Sequence, residues 1–147
     1  MIRPLEAKDR ELFLALIDEF YHSDAVLHAT PVEYHINIFE EALRSDTYLL
    51  CYIIEQEGTP AGYGLLSKSF SPEVGGPIIW FEELYLREPF RNQGLGTEFF
   101  NFVENTIPAA RYRLEVEPDN ENALQMYYGR GYEDLGYLQL VKDEKKL

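Results

Sequence analysis

Glu82 and Glu83 stand side by side in a stretch, I-I-W-F-E-E-L-Y-L from Ile78 to Leu86, that is otherwise apolar. Such a run reads as a buried strand, where a carboxylate is costly unless it is solvated or paired. Successive strand residues face opposite sides of a sheet, so alternation puts one of these acids on each face. Two readings stay open: strand-end acids that meet water or an arginine, or a site that needs an anion or a proton acceptor. Directly downstream, Arg91-Asn92-Gln93-Gly94-Leu95-Gly96 opens a segment whose Leu95, Phe99, Phe102, Val103 and Ile107 recur on one helical face. The glycines leave the first N–H groups of that helix uncovered. Those donors lack intrahelical partners and carry the positive end of the helix dipole, so the turn suits a phosphate. The spacing excludes two nucleotide loops. Phe99 stands where G-x-G-x-x-G needs its third glycine, and no lysine follows Gly96 as a Walker loop requires.

Other reactive side chains carry less. His22, His28 and His35 are too far apart for a compact zinc motif, so no metal is expected. Cys51 is the one cysteine, which excludes an intramolecular disulfide, and its place in the apolar run from Tyr48 to Ile54 reads as core. That run is too short to cross a bilayer, and the charged opening M-I-R-P-L-E-A-K-D-R is no signal peptide. A soluble cytoplasmic protein is expected, with no membrane partner. The 26 Asp and Glu against 13 Lys and Arg give a net charge of −13, a field that repels nucleic acid and attracts cations. Solubility alone would also account for that charge.

The elements that must position these residues fit one domain, residues 1–147, with no linker, repeat or low-complexity tract to divide it. A short strand at Ile2–Leu5 precedes a helix marked by Leu12, Leu16, Ile17 and Phe20, and periodicity is then lost from Tyr21 to Ala29. Thr30-Pro31-Val32-Glu33 has the features of a helix start, with Thr30 as its hydroxyl cap, and Ile36, Phe39 and Leu43 continue that helix. Tyr48–Gln56, the turn Glu57-Gly58 and Ala61–Ser69 read as a hairpin. After the glycine-opened helix, Tyr112–Val116 alternates as a strand. Asp119 or Asn120 can cap a helix whose inner face is Ala123, Met126 and Tyr127, and Gly131 falls where it would end. Tyr132–Leu135 and Tyr137–Val141 read as two last strands. The expected order is β-α-α-β-β-β-α-β-α-β-β, a mixed α/β (α+β) sheet.

Two motifs in this order resemble those of the GNAT N-acetyltransferase superfamily. Arg91 to Gly96 is similar to its R-x-x-G-x-G pyrophosphate loop. Asn120 to Tyr132 is similar to its N-x-x-A-x-x-x-Y-x-x-x-G-F signature, with Tyr132 in place of the usual Phe. The opening I-R-P-L and the strand F-E-E-L-Y-L also resemble the family, the latter its I-E-D-L-Y-V, so the resemblance covers essentially the whole chain. Asn92 replaces a common glycine, which asparagine's tolerance of left-handed backbone permits, and Pro89 lies one place later than usual.

The resemblance implies a GNAT-like acyl-CoA N-acyltransferase fold with splayed central strands. The activity it implies is direct transfer of an acetyl group from acetyl-CoA to a primary amine in a ternary complex. The acceptor implied is a small cationic amine, as in the polyamine branch. A protein amino-group acetyltransferase and a non-catalytic acyl-CoA-binding module are the alternatives, and a homodimer is compatible with either. Carried over, Glu82 acts as general base through water and Tyr127 as the acid that protonates the thiolate, although Tyr127 also reads as a core aromatic. Tyr128, about 100° away on the helix, reads as structural. The pantetheine arm is expected on the backbone of Leu84, Tyr85 and Leu86 and on the Asn120 side chain. The diphosphate is expected on the N–H groups of Asn92, Gln93, Gly94, Leu95, Gly96 and Thr97. Arg87 and Arg91 are the nearest cations, and Arg91 could equally pair with an acid.

Overall fold

A computed structural model of the chain describes residues 1–144. It divides into two compact units, Met1–Glu115 and Val116–Leu147.

The first unit is built on a five-stranded sheet of β1 (Ile2–Pro4), β2 (Leu49–Gln56), β3 (Thr59–Ser71), β4 (Gly76–Leu86) and β5 (Arg111–Leu114), ordered β1-β2-β3-β4-β5. The first four strands pair antiparallel and β5 joins β4 in parallel. Glu57 and Gly58 close the β2–β3 hairpin with φ of 52° and 79°, the left-handed pair that matches the twist of the strands.

Helices α1 (Arg10–Tyr21) and α2 (Val32–Arg44) cover one face of the sheet. Phe13, Leu16 and Ile17 of α1 and Phe39 of α2 meet Cys51, Ile53, Tyr63 and Leu65 in a continuous core. Helix α3 (Leu95–Thr106) lies on the other face, where Phe99 packs against Phe81 and Tyr52 and Phe100 stacks on Phe81. Gly64 makes that packing possible. A Cβ there would fall 2.1 Å from Cζ of Phe99, inside a buried ring. Gly64→Ala should therefore overpack the core and cost about 1–3 kcal/mol in denaturant unfolding. Gly96→Ala, whose Cβ would meet only Leu84 at 3.7 Å, should cost little in the same measurement.

Three local expectations change. Pro31, not Thr30, is the N-cap of α2, because the Thr30 hydroxyl bonds Nε2 of the buried His35 at 2.8 Å instead. In the second unit, α4 (Glu121–Gly129) forms as expected, but Met126 is exposed. Residues 132–141 form no strand. A strand exists only through a ladder, and alternating apolar residues do not create a partner edge. Tyr137, Leu138, Leu140 and Val141 are 69%, 87%, 89% and 84% exposed. Among the described residues no helix is long and apolar enough to cross a membrane.

Candidate active site

The strand that carries both acids breaks its own alternation. Leu65 pairs with Glu83 but Leu66 pairs with Phe81, so Glu82 is an extra residue, a β-bulge. The bulge overturns the expectation of one carboxylate per face. Glu83 faces the α1/α2 side, where it accepts hydrogen bonds from the hydroxyls of Tyr21 (2.5 Å, at Oε2) and Tyr63 (2.7 Å, at Oε1). Glu82 accepts from Ser67 Oγ at 2.6 Å, and Ser67 shares the β3 face of Tyr63 and Leu65. Both carboxylates thus serve one side of the sheet. Glu82 is exposed and Glu83 partly buried. Desolvation pushes the Glu83 carboxyl above its ordinary range, with Glu82 adding to the rise against the two phenol hydrogen bonds.

Beyond the bulge, β4 parts from β5. Their parallel pairing runs from Ile78–Arg111 to Phe81–Leu114 and stops, while β4 continues to Leu86. On the other edge, the Arg87 N–H donates to Ala61 O at 2.8 Å. Antiparallel ladders alternate bonded and non-bonded pairs, so Tyr85 exchanges its backbone bonds with Tyr63. Leu84 and Leu86, opposite Gly64 and Gly62, turn their N–H and C=O groups toward the opened side. Tyr85 was expected to offer its backbone beside them, but the β3 ladder uses it. The Leu86 carbonyl is taken by Arg91 Nε at 2.7 Å. The Leu84 N–H and C=O and the Leu86 N–H remain as a strand edge of the kind that an extended amide-bearing arm can join.

A cavity of about 470 Å³ adjoins this edge, lined by Leu84, Tyr85, Leu86 and Arg91 and by Phe20 and residues 22–25 at the end of α1. The same helix end is tied down twice. Tyr21 reaches Glu83, and Glu19 accepts a two-pronged bond from Arg87 (3.0 and 2.8 Å) and one from the Tyr85 hydroxyl (3.1 Å). The Arg87 guanidinium holds the Glu19 carboxyl below its usual range. Arg87, expected near the phosphates, is committed to that brace, and Arg91 sits 5.8 Å from the Tyr85 ring centroid.

The glycine turn has the backbone its sequence requires. Asn92 and Gly94 are left-handed at φ of 61° and 85°, and Gly94 is the N-cap of α3. No side chain caps that helix, so the N–H groups of Leu95, Gly96 and Thr97 point outward from its first turn. Gln93 braces the loop by donating to Pro89 O at 2.8 Å. The turn and the strand edge fit a diphosphate on an extended amide arm.

Asn120 and Tyr127 belong to the second unit. The Asn120 side-chain oxygen accepts from the Ala123 N–H at 3.2 Å, the N-cap bond of α4. At the other end of α4, Gly131 N–H bonds Tyr128 O and Tyr132 N–H bonds Tyr127 O, each at 3.0 Å. The Tyr127 and Tyr132 rings meet at 6.0 Å, and Gly131 takes φ of 95°. This is a Schellman cap with its hydrophobic contact. The spacing N-x-x-A-x-x-x-Y-x-x-x-G-Y therefore specifies both helix ends. Burial pushes the Tyr127 hydroxyl above its ordinary range. The Tyr128 hydroxyl donates to Asp134 at 2.6 Å, in keeping with a structural role.

Tyr21, Tyr63, Ser67 and Glu19 were not anticipated as site residues. Nothing in their local sequence marks them, since each is recruited by strand register or by the end of α1. Among the described residues no group of three or more His, Cys, Asp or Glu could hold a metal ion.

A splayed parallel pair, an uncapped glycine turn and two adjacent carboxylates are thus gathered around the end of β4. Comparison with known proteins gives the class of the chain. Residues 11–132 match the family described as Acetyltransferase (GNAT) family. The thialysine N-epsilon-acetyltransferase of Bos taurus is 30% identical over 116 residues, covering 68% of each chain. Among solved structures, a possible acetyltransferase from Clostridium difficile 630 superposes with a TM-score of 0.83 at 15% identity, covering 99% of this chain and 98% of that one. AAC(6')-Iy in complex with the bisubstrate analog CoA-S-monomethyl-acetylneamine superposes with a TM-score of 0.76 at 16% identity, covering 98% and 97%. The chain belongs to the acetyltransferase (GNAT) family. It is an acetyl-CoA-dependent N-acetyltransferase that acts on amines.

Proposed function

We propose that the acceptor is a small cationic amine, acetylated by direct transfer in a ternary complex. The observation that carries this reading is the bulge at Glu82, which turns two adjacent carboxylates to one side of the sheet beside the splayed edge. The net charge of −13 draws a cation toward them. The bovine relative is a thialysine N-epsilon-acetyltransferase, which is in keeping with a small amine acceptor. The lone cysteine, Cys51, which cannot form an intramolecular disulfide, supports a cytoplasmic location.

Acetyl-CoA supplies the thioester carbonyl carbon and a thiolate leaving group. The outward N–H of Leu84 holds the carbonyl oxygen, the N–H groups from Asn92 to Thr97 hold the diphosphate, and the Asn120 amide holds the arm. An alkylammonium must shed a proton before it can attack, and Glu82, exposed and held by Ser67, accepts it through water. As the N–C bond forms and the C–S bond breaks, the nitrogen gives up a second proton. Tyr127 returns one proton to the sulfur, and the other leaves to solvent. Most of the rate comes from holding amine and thioester together.

Thiol release from acetyl-CoA, measured over a panel of amines, tests the reading. Alkyl diamines and lysine-like amines should outperform neutral and anionic ones. Turnover confined to protein amino groups, or none with any amine, would overturn it. In the same assay Tyr127→Phe, which keeps the ring that packs on Tyr132, should leave thermal stability nearly unchanged while kcat falls roughly ten- to a thousandfold. A variant as active as the parent at every pH would make Tyr127 a packing residue only.

A further inference from the structure

Glu83 is an anion without a cation. Asp9, Glu19, Glu41, Glu55 and Glu73 each meet an arginine. Among the described residues no lysine or arginine pairs with Glu83, although it is partly buried while Glu73, which does meet an arginine, is exposed. The groups that face it are Tyr21 from α1, Tyr63 from β3, Cys51 from β2 and its neighbour Glu82. All four are neutral or negative. A partly buried carboxylate left this way is costly unless a positive group arrives.

Its geometry is nevertheless fixed. Tyr21 donates to Oε2 and Tyr63 to Oε1, so the carboxylate cannot turn without losing both bonds. Each oxygen keeps acceptor capacity for one more donor. The two phenols come from elements 62 and 20 residues away in sequence, and Tyr63 is fully buried while the Tyr21 ring meets that of His35 at 5.2 Å in a tilted contact. Neither hydroxyl can drift off the carboxylate without moving the core.

We propose that Tyr21 and Tyr63 are positioning residues that hold Glu83 as the fixed anion for the acceptor's ammonium, leaving Glu82 to take the proton. This rests on the reading of the paired carboxylates as the amine site. It assigns the two acids separate tasks: Glu83 sets where the nitrogen sits, and Glu82 sets how fast it is deprotonated.

Ammonium binding then requires Glu83 ionised, so the KM for the amine should rise as pH falls through the Glu83 titration. Each phenol bond favours the ionised form. Removing one should move that limb up by about one pH unit or more, since hydrogen bonds to charged groups are among the stronger ones. Steady-state kinetics with putrescine and acetyl-CoA across pH, on the full chain, provide the test. Tyr21→Phe and Tyr63→Phe should raise the putrescine KM more than they lower kcat, shift its acid limb upward and leave the acetyl-CoA KM unchanged. Should a phenylalanine variant fail to fold, Glu83→Gln is isosteric and should raise the putrescine KM at every pH and erase the limb. Wild-type KM and pH profile in the folded phenylalanine variants, or a surviving limb in Glu83→Gln, would overturn the proposal. A wild-type enzyme that turns over acetyl-CoA but rejects cationic amines would instead overturn the acceptor reading beneath it.

Discussion

Gly94→Asp should abolish detectable binding of acetyl-CoA while the free protein still folds. Gly94 is the N-cap of α3 at φ of 85°, with nothing within 4 Å of where a Cβ would stand. Aspartate is one of the few side chains that tolerates left-handed backbone, and it is a strong N-cap. The strain of about 1 kcal/mol is therefore offset in part, and the unliganded stability should change by no more than about that amount. The same carboxylate would occupy the N–H groups proposed for the diphosphate and set a negative charge against it. Wild-type protein with acetyl-CoA at 100 times its Kd should gain about 2.7 kcal/mol of stability from binding. The variant should gain none. Gly94→Ala, which adds backbone strain without charge, should weaken binding less. Calorimetry and thermal unfolding with and without acetyl-CoA check all three proteins, and equal affinity in a folded Gly94→Asp would remove the turn from the cofactor site.

What the sequence made legible was local. Gly94 and Asn92 were readable because left-handed backbone restricts residue type within a few positions, and both adopt it. The span from Asn120 to Tyr132 was readable for the same reason, since its fixed residues are a helix N-cap and a Schellman cap. Such caps occur wherever a helix must start and stop there, so the motif by itself does not separate catalysis from folding. The orientation of Glu82 and Glu83 was not readable. Alternation assumes an unbroken ladder, and the bulge depends on how β4 registers with β3, a partner that begins 23 residues earlier at Thr59. Tyr21 looked like the first residue of an aperiodic segment after the helix and Tyr63 like one more position in a hairpin strand. Only the register and the end of α1 bring their hydroxyls to one carboxylate. Residues 132–141 had the alternation of strands, but alternation reports propensity for a pleated surface and is silent on whether an edge is there to receive it.

Glu82→Gln should lower kcat for a primary amine by roughly a hundred- to ten-thousandfold, the usual range for one positioned proton acceptor. An alkylamine with an ordinary pKa of about 10.4 is free of its proton in only about one molecule in a thousand near neutral pH, so an enzyme without a base must wait for that fraction. The variant's kcat/KM should consequently climb about tenfold per pH unit until the amine itself titrates, whereas the parent's levels off much earlier. Glutamine keeps the size of the side chain and can still bond Ser67, which accepts or donates, so the bulge should persist. The charge is lost as well as the base, and salt separates the two effects. Attraction of a cation to the acidic surface is screened over a Debye length near 8 Å at physiological ionic strength, so the parent's kcat/KM for cationic amines should fall as salt rises. Most of that salt dependence should survive in Glu82→Gln, because a single charge is removed from a net of −13. The loss in kcat should survive at high salt too, because proton transfer at contact distance is not screened. A variant whose deficit vanishes in high salt would make Glu82 a steering charge and leave the proton to another group. Full activity in Glu82→Gln at neutral pH and all salt concentrations would leave the exposed carboxylate no part in the chemistry.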